Sequence, residues 1–340
     1  MGKRLRPQVA ATALVLVVPV LAGCNGSPSM LDPQGPAARN LAALTWVLLG
    51  FLGLATVGVL AVGALAVFRR RGADPREERQ LRLERRLIVG GGIVLPALIA
   101  LVLTGLNVGF GRAVDGWSGR PMEVGLANGA EVEIVGHRFW WEIRYRQDGF
   151  LTANELHIPV GRPVTISMTS IDVIHSFWVP QLHGKIDLNP GHTTYLTLEA
   201  DRAGVYRGQC AEFCGIQHAL MGFLVVAEDE EEHAAWRERQ AQPAGEPDGD
   251  AALGLQVFLE QGCGACHAIA GTQAEGRLGP DLTHFGSRRT IAAATVPNTR
   301  GHLGGWIVDP QRIKPGNLMP PMRVGSDELN ALLDFLEGLE

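Results

Sequence analysis

Four cysteines in two close pairs hold the reactive chemistry of this chain: Cys210 with Cys214, and Cys263 with Cys266. The run Cys210-Ala-Glu-Phe-Cys214-Gly-Ile-Gln-His218-Ala-Leu-Met221 places two thiols, an imidazole and a thioether within twelve residues. Soft sulfur with imidazole suits copper, and a methionine at the edge of such a site is a weak ligand that tunes potential. Zinc more often takes four strong ligands, which leaves the methionine superfluous. A Cys210–Cys214 disulfide would leave His218 and Met221 without a role. A copper site of this make-up needs a second imidazole. The candidate is His175, in the strand-like segment Asp172-Val-Ile-His175-Ser-Phe-Trp-Val-Pro180. The second pair reads differently. Cys263-Gly-Ala-Cys266-His267 is the C-x-x-C-H pattern of covalent c-type haem, in which two thioethers fix the ring and the adjacent histidine becomes an axial ligand.

These residues need a scaffold, and the hydrophobic period supplies it. From Glu131 onward the period is two: Val132, Ile134, Phe139, Ile143; Val164, Ile166, Met168; Thr193, Tyr195, Thr197; and Phe223 to Ala227 predict short strands of an all-β sandwich or barrel. Residues 228–239 predict a closing helix, and 241–250, with two Pro, two Gly and three acids, have a linker composition. A helical domain follows over 251–340. Asp250 is placed to cap its first helix, and Ser326 its last, which carries Leu329, Leu332, Leu333 and Leu336. No internal repeat is present.

The N-terminal third is built for a membrane. A basic start, an apolar run and Leu21-Ala22-Gly23-Cys24 predict an export signal over 1–23 of lipoprotein type, with Cys24 as the acylated residue. Asn40–Phe68 and Leu87–Gly111 lack charged side chains and are long enough to span a bilayer. Eight arginines lie between them, which keeps that loop cytoplasmic and sends everything after Arg112 to the outer side. Pro96 predicts a kink in the second span. The chain of 340 residues carries net charge −5, and its basic excess is confined to residues 1–111. The acidic remainder would repel phosphate, so nucleic-acid binding is excluded.

His175 followed by Cys210-x-Glu212-x-Cys214-x-x-x-His218-x-x-Met221 resembles the dinuclear copper (CuA) centre of subunit II of the haem-copper cytochrome c oxidases, a likeness running from about Asn40 to Trp236. The resemblance implies a cupredoxin-like Greek-key barrel on a two-helix transmembrane hairpin, with domains at 40–111 and 112–240. It implies that Cys210 and Cys214 bridge two coppers, that His175 and His218 bind one each, and that Met221 and the Glu212 carbonyl are weak ligands. The Glu212 carboxylate would reach a magnesium ion shared with subunit I. Gly136-His137-Arg138-Phe139-Trp140-Trp141 matches an aromatic segment of that family, except that many members place at Phe139 the Trp that receives electrons from a separate cytochrome c.

The C-terminal segment is similar to class I cytochromes c, which implies an all-α domain, a methionine sixth ligand at Met319 with Met322 as fallback, and a Pro280 carbonyl holding His267. A copper domain, linker and cytochrome in one chain resemble the caa-type oxidases. The implied function is electron entry: external donor (a cytochrome c or a cytochrome bc complex) to haem c, then to CuA, then to subunit I, where oxygen is reduced and protons are translocated. Subunits I and III and membrane lipid are the implied partners, and the bacterial inner membrane the implied location. Three alternatives are weighed. Nitrous-oxide reductase needs a large His-rich domain for which this chain has no room. Quinol-oxidase subunits lack the copper cysteines. A tethered copper and haem carrier acting without an oxidase would not copurify with a multi-haem membrane subunit.

Overall fold

The computed structural model describes residues 28–68, 77–114 and 129–340. The expected signal segment with Cys24, the arginines at 69–71 and 76, and residues 115–128 of the expected copper domain lie outside the described residues.

One unit is helical: the long apolar α1 (Pro36–Phe68) and α3 (Leu95–Val114), with the short charged α2 (Glu77–Val89) leading into α3. They contain two stretches, of 30 and 27 residues, long and apolar enough to cross a membrane. Their side chains face outward, Leu54 at 74% and Leu101 at 71% exposure, which suits lipid and would be unfavourable in water. The break expected at Pro96 takes the form of a five-residue π turn, Gly90–Val94, joining α2 to α3. A proline cannot donate to the carbonyl four residues back and crowds it, so the ladder lengthens by one residue: Leu95 N–H bonds the Gly90 carbonyl.

The second unit begins with two five-stranded sheets. One has the order β3 (Phe150–Ala153), β2 (Trp140–Tyr145), β1 (Val132–His137), β5 (Val164–Ser170), β8 (Thr194–Leu198). The other runs β4 (Glu155–Pro159), β10 (Gly222–Glu228), β9 (Gly204–Cys210), β6 (His175–Trp178), β7 (Ile186–Leu188). Neighbours in each sheet are often distant in sequence, as in the parallel pairs β1 with β5 and β10 with β4. Both sheets feed one core, in which Trp141, Phe177 and Phe223 pack edge-to-face and stacked at 4.3–5.9 Å. Gly208 is obligatory there, because a Cβ would lie 2.1 Å from the Phe223 ring. Phe139, expected in a strand, sits in the turn between β1 and β2, and Thr193 lies just outside β8. The segment ahead of α1 is stitched to this domain: Gln34 N–H donates to the Gln181 carbonyl, and Asp201 N–H to that of Gln34.

After α4 (Glu230–Gln240), residues 241–248 run without regular structure into α5 (Gly249–Glu260). Asp248, not Asp250, stands at the N-cap of α5, so the linker ends two residues earlier than expected. The remaining helices are α6 (Arg300–Val308), α7 (Pro310–Ile313) and α8 (Ser326–Glu337). Ser326 is the first residue of α8 rather than its cap; Gly325 holds that position and donates its N–H to Glu328 Oε2. Helix α5 crosses α8 at Gly254, where a Cβ would come within 2.0 Å of the Ala331 carbonyl oxygen, and Phe258 meets Phe335 edge-to-face. Between α5 and α6 a small hairpin, β11 (Thr290–Ile291) and β12 (Val296–Pro297), turns through Ala292, Ala293 and Ala294, all three left-handed at φ 54–56°.

The expected linker 241–250 is tied to the domain that follows it. Ala244 N–H bonds the Ala270 carbonyl, His284 reaches the Gln242 carbonyl at 2.9 Å, and the helical domain is seated on the sheets. Glu155, buried at the start of β4, accepts from the Arg289 and Thr290 amides and the Thr290 hydroxyl. Arg207 donates to the Ala294 carbonyl.

Candidate metal and haem centres

The sheet register brings the first constellation together. Phe177 of β6 pairs with Cys210 of β9, which sets His175 near Cys210 at the ends of adjacent strands. Cys210 N–H bonds the Met221 carbonyl, closing the loop that carries Cys214 and His218. Gly136 on β1 makes room for the His175 ring, since a Cβ there would lie 2.8 Å from Cδ2.

The two sulfurs are 3.9 Å apart, both buried, in free cysteines. His175 Nδ1 lies 3.9 Å from Cys210 Sγ, and the Glu212 carbonyl oxygen 3.2 Å from the same sulfur. On the other side His218 Nδ1 and Met221 Sδ each lie 3.8 Å from Cys214 Sγ. Two sulfurs thus form a centre, with one imidazole and one weak donor on each flank. That donor set fits a pair of soft metal ions sharing two thiolates. The Cys214 thiol and His175 pull Cys210 down despite burial, and Cys210 pushes Cys214 up.

Asp172 is a residue that sequence reasoning passed over. Its Oδ1 lies 2.9 Å from His175 Nε2 and accepts the Val173 amide, while Oδ2 accepts the Arg138 amide. A carboxylate only accepts, so Nε2 carries the proton it gives to Asp172, and Nδ1 is the ring nitrogen turned toward Cys210 and the candidate metal position. Burial raises the Asp172 pKa, but these hydrogen bonds hold it below the usual carboxylate value. The available signal was an acid three residues ahead of the candidate histidine. Among the aromatics, Trp141 is buried in the core, whereas Trp140 is half-buried and stacks on His137 at 4.2 Å.

In the helical domain Cys263 opens a 3-10 turn after Gly262, whose φ of 76° favours glycine. His267 Nδ1 donates to the Pro280 carbonyl at 2.7 Å, leaving Nε2 unprotonated. Burial pushes His267 below the ordinary imidazole value and keeps it neutral, the form that binds iron. Gly279 lies so close that a Cβ would come 2.5 Å from the ring. A fixed imidazole beside two free thiols fits a covalent haem. Met322 packs into the helical core, whereas Met319 stands outside it with its amide held by Asn317 Oδ1 at 2.8 Å.

Residues 149–228 match the family described as cytochrome c oxidase subunit II, periplasmic domain, and residues 251–340 match cytochrome c. Cytochrome c oxidase subunit 2 of Alkalihalophilus pseudofirmus is 36% identical over 326 residues, covering 94% of each chain. That of Bacillus subtilis is 31% identical over 349 residues, covering 96% of each. A solved periplasmic domain of subunit II from Bradyrhizobium japonicum is 27% identical and covers 33% of this chain and 93% of its own, with a TM-score of 0.32. The two families imply CuA copper and haem c as cofactors, subunit I as partner, and a membrane-anchored chain with an outer-side domain. Matched nearly end to end, the chain belongs to the cytochrome c oxidase subunit 2 family, in the form that carries its own cytochrome c, and serves as the electron-entry subunit of an O2-reducing haem-copper oxidase.

Proposed function

We propose that Cys210 and Cys214 would hold a pair of copper ions, with His175 and the Glu212 carbonyl beside one sulfur and His218 and Met221 beside the other. The observation that carries this is the near-equal spacing of one imidazole nitrogen from each sulfur, 3.9 Å and 3.8 Å, around a 3.9 Å sulfur pair. We assign Cys263 and Cys266 to the haem thioethers and His267 to one axial position. Met319 takes the other, supported by the packing of Met322 into the core. When bound, the copper pair and the haem supply one-electron carriers. The chain's part is to hold them with little rearrangement: Asp172 orients His175, the Pro280 carbonyl orients His267, and the Cys210 amide bonded to the Met221 carbonyl closes the loop that carries Cys214.

In this reading residues 40–111 anchor the chain in a bacterial inner membrane, helped by a lipid on Cys24. Residues 112–240 hold copper, 241–250 link, and 251–340 hold haem. The donor is a cytochrome c or a cytochrome bc complex. Delivery is to subunit I of a proton-translocating oxidase that also contains subunit III, with a magnesium ion at the Glu212 carboxylate on the shared border. Metal analysis of the purified chain should give two coppers and one covalent haem. Cys214→Ser should abolish the paired-copper spectrum and spare the haem band; a retained copper pair would refute the assignment.

A further inference from the structure

The cytochrome domain grips the copper-ligand loop at several points, and the grip is continuous with the methionine loop. Gln217, adjacent to His218 and 1% exposed, donates from Nε2 to the carbonyls of Lys314 (3.1 Å) and Pro315 (3.0 Å). The Lys314 carbonyl also accepts from Asn317 Nδ2 at 2.7 Å, and Asn317 Oδ1 accepts the Met319 amide. Hydrogen bonds alone therefore link one ligand loop to the other. Met221 is flanked in the same manner. The Thr295 hydroxyl donates to the Leu220 carbonyl, and Gly222 N–H donates to that of Ala293.

The Lys314 side chain, 3% exposed, enters the sheet domain and donates from Nζ to the Phe139 carbonyl at 2.9 Å. The Phe139 ring in turn lies against Gly215, where a Cβ would come 3.0 Å from it. Burying an amine is costly, and so is burying Gln217 with its Oε1 unpartnered. Such groups persist where the surrounding contacts overdetermine them.

We propose that Gln217, Lys314 and Asn317 form a clamp that seats the Met319 loop on the copper-ligand loop, making Gln217 and Lys314 positioning residues for haem-to-copper electron transfer. The inference rests on the ligand assignment above. The step it serves oxidises the haem by one electron and reduces the copper pair by the same one, with no bond or proton exchanged. A tether alone supplies an effective concentration of the order of millimolar. The clamp replaces repeated encounter with one geometry.

The test compares the full-length chain in detergent, loaded with copper and haem, with two variants. Gln217→Glu sets a carboxylate against two carbonyl oxygens at nearly unchanged volume, and Lys314→Met keeps the stem but removes the donor. After photoinjection of an electron into the haem, transfer to copper should slow by about tenfold to a hundredfold, the scale set by an ångström-sized misplacement. The paired-copper spectrum and haem band should persist. Amide exchange over 215–222 and 314–319 should accelerate in both variants, on loaded and unloaded chain alike. Glu155→Gln, which weakens a separate contact, should accelerate exchange at 289–290 and leave 314–319 protected. Unchanged transfer in fully loaded variants overturns the proposal, as does equally fast exchange over 314–319 in the unaltered chain. An unaltered chain that takes up no copper or haem overturns the ligand assignment instead, and exchange on that chain still decides the clamp.

Discussion

The copper and haem regions are held by different means. In the copper region three donors stand at strand ends, His175 opening β6, Cys210 closing β9 and Met221 preceding β10, so the ladder sets their spacing, while Glu212, Cys214 and His218 lie on the loop those ends anchor. In the haem region, Cys263, Cys266 and His267 follow a helix end, and Met319 stands on a loop outside the helical core. A sheet presets ligand distances before any ion arrives, whereas loops of this kind take their final rigidity from what they bind. Preset geometry also means little movement when charge changes, which suits a relay.

Three interventions would break or sharpen that contrast. Gly254→Val should have the largest effect. With the Ala331 carbonyl 2.0 Å from the new Cβ, helices α5 and α8 must separate, at a cost of roughly 3 kcal/mol or more. Calorimetry should show the haem domain melting early while the sheet domain keeps its transition; a single unshifted transition would show that the helices can slide.

Asp172→Asn should act on the copper side alone. Loss of the carboxylate behind His175 should weaken copper binding by about ten- to a hundredfold, as for other outer partners of metal-bound histidines. Competition with a chelator would measure this, and an unchanged affinity would mean that Gly136 and the strand ends orient the ring unaided.

The smallest effect belongs to the seam. Burial pushes the Lys314 ammonium down to about 7 from the ordinary 10.5. The separated domains then bind the proton more tightly than the seated ones between those values. Seating should strengthen as pH rises from about 7 towards 10.5 and be level below about 7. Amide exchange over 314–319 at several pH values, corrected for intrinsic rate, reads the trend. Lys314→Met should flatten it.

Much of the chemistry was legible because it is local. Cys210 to Met221 and Cys263 to His267 are short segments whose residue types have few other uses, and two uncharged runs announce the membrane. Strands β3, β4, β7 and β9 were not legible. Strands β3 and β7 are short and β4 is buried throughout, so none of these shows a polar alternation, while β9 alternates in burial but places Gly208 and Cys210 beside Tyr206 on its buried face, which is a weak apolar signal. Phe139 fits the two-residue period yet lies in a turn, because the period does not mark where a strand stops. Asp172 was visible as a residue but not as a partner, since its role depends on a fold that turns it back onto His175. The seam was the least legible part. Gln217 and Lys314 are 97 residues apart, and nothing in either neighbourhood encodes a carbonyl waiting on the other side.

The three left-handed alanines at 292–294 bear on how the halves fit. Each holds a backbone shape that costs an L-residue about 1–2 kcal/mol; the carbonyls of Ala293 and Ala294 accept from Gly222 and Arg207 across the boundary, and that of Ala292 from Thr295 within the hairpin. Glycine there would make the bend native to the hairpin; alanine leaves it on loan from its neighbour. Part of the relief of the cytochrome surface is therefore braced by the domain it rests on as well as by the hairpin's own bonds.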